Sequence, residues 1–127
     1  MVSDSSQYIF NYEPVVGPLE KLDVNKIIES AGEQWFNQTL TQVDEVVVRI
    51  GVFTGGEFPW HKHDNEDEFF LVLDGRVRID VEGLASADLG PRECFTVPKG
   101  RMHRPVVSER STVLMIERAG VVATGDA

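Results

Sequence analysis

From Gln34 onward the chain is punctuated by Gly, Pro and Asp-Gly into short runs of apolar and β-branched residues with period two. The runs fall at residues 33–43, 45–53, 69–73, 76–82, 93–97 and 111–117, and none is separated from the next by a helical pattern. Short strands of this kind, with turn residues between them, predict an all-β sandwich or barrel. Asp74-Gly75 stands between the third and fourth of these runs, at "FFLVL-DG-RVRIDVE", and predicts a two-residue hairpin, because a type I′ turn requires positive φ at both central residues. Val77, Ile79 and Val81 alternate with Arg76, Arg78 and Asp80, so the former are expected to line the barrel. In "FFLVL" both faces are apolar. A strand buried on both sides needs a cover on each, and the outer one predicts either the N-terminal arm or a second subunit, hence a homodimer.

The flanks read differently. Tyr8, Phe10 and Tyr12 alternate ahead of two prolines, which predicts a short strand or a docked arm. Asp23 is an N-cap for a short helix, "VNKIIESAG", with Ile27 and Ile28 on one side and Gly32 as its stop. The 127 residues then divide into an arm and helix (1–33), a barrel (34–118) and an extended or frayed tail (119–127), all in one domain. A net charge of −9 makes nucleic acid or an anionic membrane a poor partner. The single cysteine, Cys94, excludes an internal disulfide and a Cys-rich zinc site, and its place in a strand predicts a buried thiol. No apolar run reaches the roughly 18 residues of a membrane span, and the first ten residues lack a signal peptide's basic and apolar regions. A cytoplasmic protein is the expectation.

The chemistry concentrates in "WHKHDNEDEFFLVLDG", residues 60–75. In an extended chain His61 and His63 point to the same face, and Glu68 can bring a carboxylate to them across the bend. The third and last histidine, His103, follows the Pro-x-Gly turn of "VPKGRMH" and can close the cluster from a neighbouring strand. Three imidazoles and a carboxylate suit a divalent first-row metal. The alternative is an acidic loop that contains histidines, with Asp64, Glu66 and Asp67 merely solvated.

These residues resemble the two signature motifs of the cupin superfamily. The first motif runs Gly, five residues, His-x-His, four residues, Glu, six residues, Gly; Gly55, His61, His63, Glu68 and Gly75 meet every spacing. The second runs Gly, five residues, Pro-x-Gly, two residues, His, three residues, Asn; Pro98, Gly100 and His103 match it, whereas Arg92 and Val107 stand at its first and last positions. Those two departures affect turn and framework positions. The resemblance implies a double-stranded β-helix, or jelly roll, of the small single-domain kind, with His61, His63, Glu68 and His103 as ligands to one divalent transition metal: Fe, Mn, Zn or Ni.

Four protein ligands leave open positions on an octahedral ion. The site's charge favours a small anionic or chelating ligand such as a carboxylate, hydroxy-ketone or catecholate. The expected function is a small-molecule metalloenzyme, with oxygenase-type chemistry ahead of isomerase or lyase chemistry; the alternative is a non-catalytic cupin that binds metal or a small ligand. Glu68 facing inward brings Phe70 and Val72 with it. Arg49, a charge within "VVVRIGVF", either meets a substrate carboxylate at the barrel mouth or, as is commoner, faces solvent. Trp60 is expected to pack, Arg101 and Arg104 to sit at the rim. No histidine remains to act as an independent acid or base.

Overall fold

A computed structural model describes residues 7–126; residues 1–6 and 127 of the arm and tail read above lie outside the described residues. Ten strands and one helix follow one another as β1 (Tyr8–Asn11), α1 (Val24–Ser30), β2 (Trp35–Val43), β3 (Val46–Phe53), β4 (Gly56–Glu57), β5 (Glu68–Asp74), β6 (Val77–Val81), β7 (Ala87–Leu89), β8 (Cys94–Val97), β9 (His103–Val107) and β10 (Ser111–Arg118). They form a six-stranded sheet in the order β1-β2-β3-β10-β5-β8 and a four-stranded sheet in the order β4-β9-β6-β7. Two sheets facing each other across one apolar interior make the jelly roll that the sequence predicts.

Register decides what lies inside. In the larger sheet Phe70 pairs with Met115, Met115 with Arg49 and Arg49 with Thr39, so a single row of side chains crosses four strands on the inner face. Phe70, Val72, Val113 and Met115 from this sheet meet Val77, Ile79 and Val81 from the smaller one in the core. The inward phase expected for β5 and β6 is therefore found. Trp35, Phe53 and Phe58 close one end of the interior, with Tyr8 and Phe10 packed against it. Burial of each such side chain contributes roughly 1.5–3 kcal/mol, which places most of the stability in this interior.

The Asp74-Gly75 turn is not a hairpin. β5 belongs to one sheet and β6 to the other, and Asp74 is still in the strand; only Gly75 has positive φ, at 81°. The dipeptide makes a corner that carries the chain between sheets. A Cβ on residue 75 would run into Ser111, whose hydroxyl binds both the N–H and C=O of Arg76. A glycine is thus required by close approach as well as by φ.

Two strands escaped the sequence reading, β4 and β7, which are too short to show periodicity; β9 is the strand expected to carry His103, although Arg104 and Pro105 interrupt its alternation. The arm is a strand: β1 pairs in parallel with β2, Tyr8 opposite Trp35. Asp23 caps α1 as expected, its Oδ1 accepting from the Asn25 N–H, and the helix ends at Ser30 with Ala31 as the C-cap and Gly32 directly after it. Cys94 is exposed, not buried, because it pairs with Leu71 on the outer face of β5 while its neighbour Phe95 pairs with inward Phe70. The tail is neither extended nor frayed. Val121 is buried, the Ala123 N–H donates to the Tyr12 hydroxyl, and the Asp126 N–H donates to the Lys62 carbonyl. Among the described residues no helix is long and apolar enough to cross a membrane.

Candidate metal centre

Two separate pieces of backbone bring the four residues together. His61 and His103 form an isolated antiparallel bridge: the His61 N–H donates to the His103 carbonyl at 3.0 Å and the His103 N–H to the His61 carbonyl at 2.8 Å. The Pro98-x-Gly100 turn, with Gly100 at φ 81°, lets the Gly100 N–H donate to the His63 carbonyl at 2.8 Å. Glu68 opens β5 opposite Val97, on the inner face. One ligand atom from each of His61, His63, Glu68 and His103 lies within 4.8 Å of the others, and all four residues are buried, between 1% and 7% exposed.

The ring orientations suit a metal. His61 Nδ1 lies 2.8 Å from the Pro59 carbonyl and His103 Nδ1 lies 2.9 Å from the Arg101 carbonyl. A carbonyl only accepts, so each Nδ1 carries the proton and each Nε2 is left as the free base. His103 Nε2 is 3.0 Å and His63 Nε2 3.3 Å from the same oxygen, Glu68 Oε1. Neither ring nitrogen of His63 has a well-formed hydrogen bond among the described residues. Buried polar atoms are rarely left so, and three free imidazole nitrogens converging on one carboxylate fit a divalent first-row ion.

The electrostatics agree. Burial would push the Glu68 carboxyl up, but the adjoining His103 and His63 imidazoles outweigh it and hold it down, at about 2. Burial, followed by the nearby His103, pushes the His61 imidazole down to about 4. For His63 burial acts downward, and Glu68, with Glu66 and Asp126 behind it, turns the net shift upward. Near neutral pH the cluster therefore holds an ionised carboxylate and a neutral His61, the protonation states that metal binding requires.

Other expectations resolve differently. Arg49 does not face solvent: it is 1% exposed on the inner face of β3, its guanidinium 4.8 Å from the centre of the Tyr12 ring. Trp60 is half-exposed under Arg104, which also binds Glu57 and Asp80; Arg101 is exposed. Asp64 and Asp67 are exposed, but Glu66 is half-buried and its carboxylate forms a second close group with His63 and Asp126. Two inner-face polar residues had no clear signal. Asn37 reads as a strand polar residue and Glu117 as a strand end, yet both are buried with an unpartnered oxygen among the described residues. Burial, then Glu68, pushes the Glu117 carboxyl well up.

The cavity beside the cluster is small. It is lined by His61 and Glu68, by Phe10 of the arm and by Ala123 of the tail, and its free volume is about 20 Å³, room for about one water. The tail is seated closely: a Cβ on Gly125 would come within 2.6 Å of the His61 Cβ. Asp126 Oδ2 accepts from the Asp64 N–H at 2.7 Å.

Comparison with known proteins agrees with this fold. A family model described as a cupin domain matches residues 48–117, the span from β3 through β10. YdbB of Bacillus subtilis (strain 168), an uncharacterized protein, is 35% identical over 91 residues, 72% of this chain and 80% of its own. A cupin-2 domain containing protein from Shewanella frigidimarina NCIMB 400 superposes with a TM-score of 0.70 at 25% identity, covering 76% of this chain and 93% of that one. The DMSP lyase DddQ from Ruegeria pomeroyi DSS-3 superposes with a TM-score of 0.55 at 23% identity over 63% of this chain and 41% of that one, a likeness of fold.

Proposed function

We propose, from the premise that this chain belongs to the cupin family, that it is a metal-dependent enzyme acting on a small, metal-chelating substrate by oxygenase-type chemistry. The observation that carries the reading is the buried set of His61, His63, Glu68 and His103, with two Nδ1 protons fixed by backbone carbonyls. Bound there, Fe(II), Mn, Zn or Ni would supply Lewis acidity and a template for substrate, and iron would add oxygen chemistry.

The chain's own residues do the rest. Pro59 and Arg101 carbonyls aim His61 and His103 at one point; Phe58 and Phe70 pack edge-on against those rings and hold them there. Glu68 balances the positive charge of the ion. The chain assembles as a homodimer in the cytoplasm, a setting that an exposed, unpaired Cys94 suits.

A metal-dependent lyase is the second reading, and the fold shared with a DMSP lyase favours it. EPR of the protein purified without added metal and exposed to NO separates the two. A nitrosyl signal from stoichiometric iron supports the oxygenase; zinc, manganese or nickel without that signal supports the lyase.

A further inference from the structure

We infer that Arg49 is the receptor for the carboxylate of a small ligand with an apolar body, bound in a cleft beside the metal cavity. This deepens the function proposed above by naming the substrate's anionic end, and it rests on that reading only for what happens at the other end.

Arg49 is held in place but not satisfied. Its guanidinium stacks on Tyr12, while Nε and Nη2 are buried without a hydrogen-bond partner among the described residues. Those two nitrogens form one edge of the planar fork, the edge whose parallel N–H groups match the two oxygens of a carboxylate. No carboxylate of the described residues lies within ion-pair distance of it; Glu117 and Glu68 act on it only from farther away. A buried cation kept in this state is costly, so a hydrophobic side chain at position 49 would make the better core. The neighbouring orphan atoms, Asn37 Oδ1 and Glu117 Oε2, lie on the same inner face and leave Arg49's edge unmet.

The space for a ligand adjoins the Arg49 residue; Nε and Nη2 are themselves closed to solvent, so a carboxylate meets them only by displacing the groups that cover them. Arg49, Tyr12, Thr39, Val47, Val121 and Val122 line a cleft of about 340 Å³, within the range of small-molecule sites. Its walls are mostly aliphatic and aromatic, which suits an apolar body. A single guanidinium, with Glu68 and Glu117 in its surroundings, balances one negative charge and disfavours a dianion such as phosphate. Three segments wall both this cleft and the metal cavity: Tyr12 and Phe10 from the arm, Thr39 and Asn37 from β2, Val122 and Ala123 from the tail. The cleft and the metal cavity therefore lie against the same three segments of the chain.

The test uses the full chain stripped of metal by a chelator, with benzoate as the probe and benzamide as its uncharged isostere. Benzoate is expected to raise the melting temperature with dose, and benzamide to leave it unchanged. Arg49→Met is expected to melt at or above the wild-type temperature and to lose the benzoate response. Arg49→Lys, which keeps the charge without the fork, is expected to weaken benzoate at least ten-fold and serves if the methionine variant does not fold. The inference is overturned if wild type ignores benzoate, if benzamide acts equally, or if the substituted proteins respond as wild type does. Because these readings are taken without metal, failure of the metal site, seen as absent metal in the purified protein, is a separate result.

Discussion

His61 and His103 exchange two backbone hydrogen bonds, at 3.0 and 2.8 Å, and their rings stand 4.4 Å apart between centroids. The two motifs are thereby fastened to each other by main chain, so side-chain substitutions at the cluster can change its chemistry without unfastening it.

Protonation sets the first prediction. His61 titrates at about 4 in the fold against 6.5 unfolded. The unfolded chain then binds more protons than the native one between those values, so stability is full above pH 6.5 and is lost as pH falls toward 4. The loss is about 3 kcal/mol for this group. His63, shifted upward, opposes it by favouring the fold below 6.5. Glu68, held at about 2, adds a further loss as pH falls from 4.5 toward 2. Melting temperatures of metal-free protein across pH 4–7 are expected to fall more steeply for wild type than for His61→Asn; parallel curves would refute this.

Arg92 stands where the second motif has glycine, and it adopts φ 69°. The turn has kept its left-handed geometry, tied by the Arg92 N–H to the Val72 carbonyl at 2.8 Å, and has not moved onto Gly90. Such a backbone strains any L-residue with a side chain. Arg92→Gly is expected to stabilise by about 1 kcal/mol, raising the melting temperature by a few degrees. An unchanged or lower value in thermal denaturation would contradict the assignment of strain.

Gly125 sits at φ 92° with no room for a Cβ beside His61 and Lys62. Gly125→Val should lift the tail from the metal cavity, and the buried histidines of metal-free protein should then react faster with diethyl pyrocarbonate. Gly83→Val, at φ 78° but facing open space, provides the control. Equal rates in wild type and Gly125→Val would show that the tail does not cover the histidines.

The outer face of β5 bears on assembly. Phe69 and Leu71 are half-buried and Leu73 is 41% exposed, beside a cleft that α1 residues Val24 and Ile28 also line. The helix covers one end of this face, and a second subunit is the expected cover for the rest. Sedimentation at micromolar concentration should give a dimer; a monomer would leave this apolar face unexplained.

The strand pattern and both motifs were legible because each depends on local spacing: period two for β2, β3, β5, β6, β8 and β10, and fixed offsets for His61, His63, Glu68 and His103. What was not legible depends on long-range closure. Asp74-Gly75 carries a hairpin signature, but which sheet receives β6 is decided by packing. Arg49 looks like any strand arginine until β10 and β2 enclose it. Glu117 and Asn37 become unusual only through neighbours far away in the chain, and the tail has no periodicity to show that Val121 docks and Gly125 meets His61.

Metal content tests the central claim most directly. Elemental analysis of protein purified without added metal should find close to one first-row transition ion per chain. His63→Ala should lose most of it, while Glu66→Ala, on the carboxylate behind His63, should retain it. Wild-type protein without such an ion, or His63→Ala with its metal undiminished, would contradict the assignment of His61, His63, Glu68 and His103 as the metal centre.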